Sequence, residues 1–376
     1  MENQKLNRED LSNQIFDLLI EDENFAIDLW KRHYQDLVLP TAKSPVLITI
    51  LTVVYNCDEY IKNALESTLM QTYSNFELVI VADPCRDRTI EIINEYASLN
   101  EKINLIVNSE RMGNIGSLNI GLNHCNGKYI ARMDLDDLIH PMRIEKQFAF
   151  LENNPSISVV SAWMKSFDNN KKTNNFIYRQ NFEEHKNTSL FFSPLSHAAS
   201  MFKSEVLITL RYREGYIYAE DYDLWTRILQ KFSTSALQEY LYLYRTHSNQ
   251  VTNIRNIEST KESLRKIVTN IHELFQIEKK SETIEFHLKY FMFYEALNTK
   301  QEFIRWDIYL RSLLVGNNKS NYLIKDSFTN FIFKNYWQTN FSNHFSKLNK
   351  KEKFELFKSP FCKFSLIQKV KHFMED

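Results

Sequence analysis

Three carboxylates lie within four positions of the segment ARMDLDD, residues 131–137. Asp134, Asp136 and Asp137 follow an apolar run that is typical of a buried strand. Carboxylates this close repel each other, and a divalent cation with oxygen ligands, Mg²⁺ or Mn²⁺, is the ordinary way to keep them ionised. The alternative is a solvated first helical turn, where the helix dipole favours aspartate. Asp137 alone fits that alternative, but Asp134 closes the strand, so we predict a metal site.

A second acidic pair, Glu220 and Asp221, occurs in AEDYDLW (219–225). If a hydroxyl group attacks a sugar carbon that is bonded to a diphosphate, a carboxylate within hydrogen-bond reach must take its proton. The metal would stabilise the departing diphosphate, and a single displacement would invert the sugar carbon. The alternative is a capping pair at the start of the helix predicted over 221–232. His247, in YRTHSNQ, is either a third metal ligand or a loop histidine.

Residues that suit a nucleotide follow the earlier strands. Asp83, after the apolar VIVA, can accept a hydrogen bond from the imide N–H of uracil, or it forms an Asx turn before Pro84. Arg111 is a cation that can balance diphosphate charge, with an ordinary surface arginine as the alternative. The segment ERMGNIGSLNIGLNHCNGKY (110–129) holds four glycines. It is either a loose phosphate cradle or a helix that packs closely on a sheet.

The elements that must position these residues alternate between strands and helices. Apolar strands are predicted at 46–55, 76–83, 103–109 and 128–134, with helices at 59–71, 88–99 and 114–124. This pattern indicates an α/β fold whose mostly parallel sheet is covered by helices on both faces. Ligands bind beyond the carboxyl ends of such strands. We therefore expect the residues that follow the strands, including Tyr55 and Asn56, to converge on one edge.

The flanks of this alternating segment are helical. Apolar residues recur at helical spacing from about 8 to 38, and the periodicity is helical again after about 252. A strand is predicted at 156–167, and the polar KKTNNF (171–176) after it is predicted to be a loop. We predict three parts: an N-terminal helical extension (1–44), a catalytic domain (45–252) and a C-terminal helical domain (253–376).

The composition excludes some partners and compartments. A formal net charge of -1 gives no global field for nucleic acid, so no nucleic-acid partner is expected. Four widely separated cysteines without a CxxC pair argue against a disulfide framework or a zinc site. The polar N-terminus MENQKLNRED is unlike a signal peptide, and no apolar stretch is long enough to span a membrane, which together favour a cytoplasmic protein.

The last thirty or so residues mix lysines with phenylalanines, in KLNKKEKFELFKSPFCKFSLIQKVKHFMED (347–376). Such a segment can rest on an anionic membrane surface, which would place the protein peripherally on the inner membrane. The alternative is a helical cap whose aromatic side chains pack on the domain or on a second subunit, which would make a homodimer.

Five motifs in this order resemble those of family 2 glycosyltransferases, which have the GT-A fold. The opening strand, a Tyr-Asn turn and a following Asp appear in ITILTVVYNCDEYIKNALESTLMQTYSNFELVIVAD (48–83). SLNIGLNHCNGKYIARMDLDDLIHPMRIEKQ (117–147) is similar to the segment around the Asp-x-Asp metal motif. SPLSHAASMFKSE, AEDYDLWTRI and YRTHSNQV look like the acceptor-side strand, the Glu-Asp segment and the closing loop.

The resemblance implies roles for named residues. Tyr55 and Asp83 would contact the nucleoside, next to Asn56 in the Tyr-Asn turn. Asp134 and Asp136 would form the Asp-x-Asp pair, with Asp136 favoured as the direct ligand and His247 as a ligand or phosphate contact. Asp221 would be the base and Glu220 its neighbour near the acceptor. The chain departs from the family at three sites, with Val53 for Pro or Thr, Ala82 for Asp, and Pro84-Cys85 for Gly-Ser.

The expected activity is therefore inverting, metal-dependent transfer from a UDP-sugar to a hydroxyl of a glycan or lipid-linked glycan. The resemblance places it in bacterial lipooligosaccharide, O-antigen or capsule biosynthesis. A nucleotidyltransferase acting on a sugar phosphate is one alternative, but YNCDEY lacks the Gly and Lys of a phosphate loop. A non-catalytic nucleotide-sugar-binding module is another, and the presence of both acidic centres argues against it.

Overall fold

The computed structural model describes residues 7–37, 46–248, 250–293, 295–337, 340, 344, 347–357 and 359–361. The chain divides into two compact units. The sheet unit takes in Met1–Phe182 and Pro194–Asn256, and the helical unit takes in Glu183–Ser193 and Ile257–Asp376. The N-terminal helices thus belong to the sheet unit, and residues 183–193 to the helical unit. Sequence periodicity could not reveal this grouping, because it does not show which surface a helix packs against.

Within the described part of the chain, nine strands form one sheet. They are β1 (Ile48–Val54), β2 (Phe76–Ala82), β3 (Ile103–Val107), β4 (Tyr129–Arg132), β5 (Leu138–Ile139), β6 (Val159–Phe167), β7 (Thr173–Phe176), β8 (Met201–Lys203) and β9 (Thr234–Arg245). The order is β3-β2-β1-β4-β8-β6-β9-β5, and β7 pairs with β6. The first four strands are parallel, as predicted. The other half is mixed, because the short β8 runs antiparallel to both β4 and β6, and β5 and β7 are also antiparallel to their partners.

The helices follow in chain order. They are α1 (Arg8–Glu21), α2 (Glu23–Leu37), α3 (Ile61–Leu69), α4 (Thr89–Leu99), α5 (Gly113–Leu122), α6 (Arg143–Asn153), α7 (Phe182–Thr188), α8 (Ser204–Leu210), α9 (Glu220–Lys231), α10 (Val251–Ile254), α11 (Ile257–Leu274), α12 (Ser281–His287), α13 (Lys300–Ser320), α14 (Lys325–Ile332) and α15 (Lys350–Phe357). Two π-helical turns, Leu288–Met292 and Phe333–Trp337, follow α12 and α14. None of the described helices is both long and apolar enough to cross a bilayer.

Helices cover both faces of the parallel strands. Ile48 and Ile50 of β1 pack in a cluster with side chains of α3 and α4, whereas Leu51 lies in a second cluster with α5 and α9. Alternation of this kind follows from the two-residue period of a strand. Gly121 of α5 faces Leu51, and a Cβ at this glycine would lie 2.4 Å from Leu51 Cδ1. The glycine-bearing segment therefore serves close helix-on-sheet packing.

The helices α1 and α2 pack beside β5, β9 and the end of β6. Their buried side chains, among them Phe16 and the fully buried Trp30, form one cluster with Leu138, Phe167 and Leu243. Burial of each large apolar side chain contributes roughly 1.5–3 kcal/mol, so this contact fixes the helix pair firmly. The position of α2 matters for the site described below.

The predicted loop KKTNNF was wrong. Its last four residues form β7, which pairs antiparallel with β6 from Thr173 to Phe176. All four are exposed, so the strand has no buried face and shows no alternation of apolar and polar residues. A strand of this kind is recognised by its hydrogen bonds and not by its sequence pattern.

The helical unit has an aromatic core. Buried phenylalanines from several segments contribute to it, and the Tyr309 hydroxyl lies 2.9 Å from His272 Nε2 and 2.5 Å from His287 Nδ1. Burial lowers the pKa of His272 to about 4 and that of His287 to about 3, so both are neutral at pH 7. Phe361 is buried in the C-terminal segment, whose remaining residues 362–376 lie outside the described part.

Candidate functional site

Two of the predicted nucleotide-binding residues meet at the carboxyl end of the parallel strands. Tyr55 follows β1, and Arg111 lies between β3 and α5. The Arg111 guanidinium carbon is 4.3 Å from the centre of the Tyr55 ring, a cation–π distance. Arg111 is exposed and Tyr55 partly exposed, so the pair presents an aromatic surface next to a positive charge.

Asn56 shapes the turn after β1. Its φ of 49° lies in the left-handed region, which asparagine tolerates better than most residues. Its Oδ1 accepts a hydrogen bond from Arg86 N at 2.9 Å. The side chain therefore fixes this turn to the segment after β2, which is a positioning role.

Asp83 is almost fully buried and holds the segment before α5. Its Oδ1 accepts hydrogen bonds from Asn108 Nδ2 (2.8 Å), Met112 N (3.0 Å) and Ser117 Oγ (3.2 Å), and its Oδ2 accepts one from Gly113 N (2.9 Å). These donors are remote in sequence, so Asp83 is not the cap of a local Asx turn. Oδ1 accepts three of these hydrogen bonds and Oδ2 only one, so Oδ2 is the atom with acceptor capacity left for a uracil imide.

Asp134 pairs with a buried cation. Arg132, inside β4, is fully buried, and its Nη2 donates to Asp134 Oδ1 at 2.7 Å. Burial raises the pKa of Asp134, and the charge of Arg132 opposes that rise. The side chain keeps 39% of its surface exposed, so burial acts on only part of it. In this arrangement Asp134 is the carboxylate that pairs with Arg132.

Asp136 and His247 form the pair that suits a metal. His247 Nε2 lies 3.2 Å from Asp136 Oδ2, and the Asp136 side chain is 29% exposed. The other ring nitrogen of His247 is buried and has no hydrogen-bond partner among the described residues. Carboxylate oxygen and imidazole nitrogen both bind Mn²⁺. These two side chains therefore fit a divalent cation that takes its other ligands from water and phosphate.

The prediction that Asp134, Asp136 and His247 bind a metal together stays a prediction. Across the described residues, no three His, Cys, Asp or Glu side chains are grouped so that they could hold a metal by themselves. Asp134 is drawn to Arg132 because a buried guanidinium needs a counter-ion. Of the three predicted ligands, Asp136 and His247 contact each other, and Asp134 contacts Arg132.

Asp137 has a structural role. It is fully buried, and it accepts hydrogen bonds from Tyr242 Oη and Arg245 N, both at 2.7 Å. Burial raises the pKa of Asp137 well above its usual range, and the charges of Asp136 and Asp134 add to the effect. The interpretation of Asp137 as a solvated first helical turn was wrong, because β5 follows it and not a helix.

Glu220 and Asp221 begin α9, and the residue that caps this helix is Ala219. Neither acid is therefore the cap, although Asp221 Oδ1 accepts from Tyr222 N at 2.7 Å. Burial raises the pKa of Glu220 to about 7, helped by the charge of Asp221, and burial also raises the pKa of Asp221. The negative charge of Asp134 also raises the pKa of both Glu220 and Asp221. Of the acids that follow β4, Asp134 is thus the one whose charge acts on this pair.

Several residues around these acids were not predicted from the sequence. Asn114 Nδ2, in the first turn of α5, donates to Glu220 Oε1 at 2.9 Å. Tyr212 is buried, and its hydroxyl lies 2.7 Å from His197 Nε2. Burial raises the pKa of Tyr212, the charge of Arg132 opposes that rise, and the charges of Glu220 and Asp134 add to it. Of the residues missed, Arg132 alone gave a sequence signature, a charge inside an otherwise apolar strand.

Comparison with known proteins decides the family. Residues 49–211 match the sequence profile of Glycosyl transferase family 2. The chain is 34% identical over 210 residues to the putative glycosyltransferase EpsE of Bacillus subtilis, across 54% of this chain and 74% of that protein. It is 30% identical over 236 residues to the O-antigen biosynthesis glycosyltransferase WbnJ of Escherichia coli, across 59% and 89%. The chain belongs to glycosyltransferase family 2. It is an enzyme of the transferase class, as predicted.

The fold of this family 2 glycosyltransferase also resembles a solved structure. S. aureus TarS 1–349, in complex with UDP-GlcNAc, superposes with a TM-score of 0.53 at 18% identity. The match covers 78% of this chain and 87% of that one. The likeness confirms the predicted GT-A fold class.

We expect Asn114→Ala to shift the pH profile of the glycosyltransferase. The hydrogen bond from Asn114 favours the ionised form of Glu220, so its loss raises a pKa that already lies at about 7. We expect the ionised form of Glu220, beside the base Asp221, to be the active one, so the acidic limb of kcat/KM should move to higher pH. A hydrogen bond of this kind contributes about 1 kcal/mol, so kcat/KM at a pH of about 6.5 should fall roughly fivefold and stay nearly unchanged at a pH of about 9.

The matched control for this experiment is Asn104→Ala, which removes an exposed asparagine from β3. Its pH profile should equal that of the wild type. An Asn114→Ala enzyme with an unmoved acidic limb would show that the bond to Glu220 does not affect the reacting groups.

Proposed function

We propose that this family 2 glycosyltransferase moves a sugar from a UDP-sugar to a hydroxyl group of a glycan or lipid-linked glycan, with inversion at the sugar carbon. The observation that carries the proposal is the hydrogen bond from Asn114 Nδ2 to Glu220 Oε1, which joins the acidic pair of α9 to the segment that Asp83 holds through Gly113 N. The proposed site has two acidic centres. Asp136 with His247 forms one centre and Glu220 with Asp221 the other, and Asp134 acts on both Glu220 and Asp221. Such a pair of centres suits a reaction in which a negatively charged diphosphate leaves one side of the sugar carbon and a hydroxyl group loses its proton on the other side.

The nucleotide side would be formed by the residues after β1, β2 and β3. The Tyr55 ring offers a surface for the uracil, and Arg111 brings a positive charge to the diphosphate. Asp83 Oδ2 supports selection of uracil by accepting its imide N–H. Asn56 holds the turn that carries Tyr55 through its bond to Arg86 N.

The metal would be Mn²⁺ or Mg²⁺, held by Asp136 and His247. A bound divalent cation offsets the negative charge that develops on a departing diphosphate. Asp134, whose Oδ1 accepts from Arg132 Nη2 and whose side chain is 39% exposed, would lie beside the metal and the sugar nucleotide as the first Asp of the Asp-x-Asp pair. The protein thus contributes an oxygen and a nitrogen ligand and leaves the remaining positions to water and phosphate.

The acceptor side would be formed by α9. Asp221 takes the proton of the attacking hydroxyl, and its raised pKa makes it a stronger base than an exposed aspartate. Glu220 lies beside it, near the acceptor, and Asn114 holds Glu220 in place. A single displacement with one base inverts the configuration of the sugar carbon.

The biological setting is proposed from the relatives. WbnJ is named for O-antigen biosynthesis, and AmsE of Erwinia amylovora, 31% identical over 195 residues, for amylovoran biosynthesis. We propose that this enzyme builds a surface polysaccharide or lipooligosaccharide, in the cytoplasm. The lysines and phenylalanines of 347–376 support peripheral contact with the inner membrane, and contact with a second copy in a homodimer is the other proposal for that segment.

A thermal-shift panel tests the donor and the metal together. UDP, GDP and several nucleotide-sugars are added to the full chain with and without Mn²⁺. A ligand present at a hundred times its Kd stabilises the folded state by about 2.7 kcal/mol, which is a shift of several degrees in Tm. We expect UDP to produce this shift only when Mn²⁺ is present. Stabilisation by GDP instead of UDP would overturn the uracil assignment, and an equal shift without Mn²⁺ would overturn the metal.

A further inference from the structure

A side chain of the N-terminal helices reaches the segment that carries Asp136 and His247. Glu23 is the first residue of α2, and it lies outside residues 49–211 that match the family. Arg245 donates from Nη1 and Nη2 to the two Glu23 carboxylate oxygens, at 2.5 and 2.8 Å. The Arg245 side chain is 4% exposed and that of Glu23 23%. This bidentate, largely buried ion pair belongs to the stronger class of charge-assisted hydrogen bonds.

Arg245 fixes the backbone on which the metal pair depends. Its Nε donates to Asp136 O at 2.8 Å, and its backbone N donates to Asp137 Oδ1 at 2.7 Å. Its guanidinium lies over the Tyr60 ring, 4.8 Å from the centre. The Tyr60 ring in turn packs on the His247 ring at 4.7 Å. Arg245 therefore contacts Asp136 directly and reaches His247 through Tyr60.

Glu23 is itself held in place. Asn63 Nδ2, on α3, donates to Glu23 Oε2 at 3.0 Å. The rest of α2 is anchored by buried Ile27 and Trp30. Without Glu23, Arg245 would be a buried cation without its counter-ion, and the carboxylates of Asp136 and Asp137 would become its available partners. A guanidinium turned toward Asp136 competes with a divalent cation for the same oxygens.

We propose that Glu23 is a positioning residue of the active site. Through Arg245 it holds Asp136 and His247 in the arrangement that binds a divalent cation together with a nucleoside diphosphate. The inference rests on the proposed function in one respect, the metal. The inference assigns one residue of the site to α2, which the family match does not cover.

Metal affinity of the full chain tests this assignment. Free Mn²⁺ is measured by electron paramagnetic resonance in the presence of saturating UDP, for the wild type and for Glu23→Gln, and kcat/KM is measured beside it. Partners that orient a metal ligand change affinity about 10–100-fold, so we expect the Kd of Glu23→Gln for Mn²⁺ to rise at least tenfold. Excess Mn²⁺ should restore most of its activity. Glu23→Asp, which keeps the charge, should fall between the two.

The matched control is Lys31→Ala. It removes an ion pair of 2.8 Å between Lys31 of α2 and Glu66 of α3, and so weakens the same helix contact without touching Arg245. Its Kd for Mn²⁺ should equal that of the wild type. Asn63→Ala is a milder variant that keeps the ion pair but frees Glu23, and its Kd should rise about threefold. If Glu23→Gln does not fold, the Kd of Asn63→Ala for Mn²⁺ is compared with that of Lys31→Ala instead.

The outcomes separate the inference from the proposed function. Unchanged Mn²⁺ affinity in Glu23→Gln, or in Asn63→Ala where that variant replaces it, would overturn the positioning role. So would an equal loss in Lys31→Ala, because that would indicate general loosening of α2. A wild-type chain that binds no Mn²⁺ with UDP would overturn the proposed metal, and the inference with it.

Discussion

Asp221→Asn is expected to lower kcat by about 10³-fold while the Kd for UDP with Mn²⁺ stays unchanged. The amide cannot take a proton, and general base catalysis contributes roughly 10²–10⁴-fold. The substitution keeps an oxygen that can accept from Tyr222 N, so α9 should begin in the same place. Steady-state kinetics with a donor identified by the thermal-shift panel give kcat, and calorimetric titration with UDP gives the Kd.

The same variant should not lose stability. Burial raises the pKa of Asp221 in the folded protein, and a carboxyl of this kind lowers the free energy of unfolding as pH rises above its unfolded pKa. A neutral asparagine removes that effect, so the Tm at a pH of about 8 should be equal to or above that of the wild type. Glu214→Gln, an exposed carboxylate in the preceding loop, is the control and should keep full kcat. Turnover retained by Asp221→Asn would refute its role as the base.

Asp136→Ala is expected to abolish the part of UDP binding that depends on Mn²⁺. The substitution removes the proposed oxygen ligand of the metal and leaves His247 without its carboxylate neighbour. Charge stabilisation by a metal contributes several kcal/mol to a reaction of this type, so kcat/KM should fall roughly 10²-fold or more. The measurement is the thermal shift with UDP, with and without Mn²⁺, followed by kinetics over a range of Mn²⁺ concentrations.

A charge control accompanies the loss of Asp136. Glu101→Ala removes an exposed carboxylate before β3, at the opposite end of the parallel strands. It should bind UDP with Mn²⁺ as the wild type does. If Asp136→Ala retained the full Mn²⁺-dependent shift, the metal would have to be held elsewhere, and the proposed centre would be wrong.

The parallel half of the fold could be predicted because β1, β2 and β4 are buried on both faces along almost their whole length. β1 and β2 are continuous apolar runs, and each alternates with an amphipathic helix. The apolar pattern is missing where a strand is fully exposed or too short to show a period. β7 is entirely exposed, and β8 has only three residues, so neither produces a periodic pattern. The antiparallel pairings of the second half depend on these short strands, and for that reason the sequence did not show them.

The sequence predicted that the candidate acids follow a buried strand, but it did not predict the side chains that each acid contacts. Asp134, Asp136 and Asp137 look equivalent in the sequence, yet each meets a different neighbour. Asp134 pairs with Arg132 inside the strand, Asp136 faces His247, and Asp137 accepts from Tyr242. Of these neighbours, Tyr242 and His247 are about a hundred residues away, and only the pairing of β5 with β9 brings them close.

The place of β9 in the sheet limits how this enzyme can be shortened or recombined. β9 lies between β6 and β5 and pairs with β6 from Val159 to Phe167. An expression fragment cut at the end of the family match, residue 211, would strip one edge of β6 of its hydrogen bonds. Open strand edges recruit other chains, so such a fragment should aggregate. Chimeras between relatives should be joined after Asn256, where the sheet unit ends, and should take Glu183–Ser193 from the parent that supplies the helical unit.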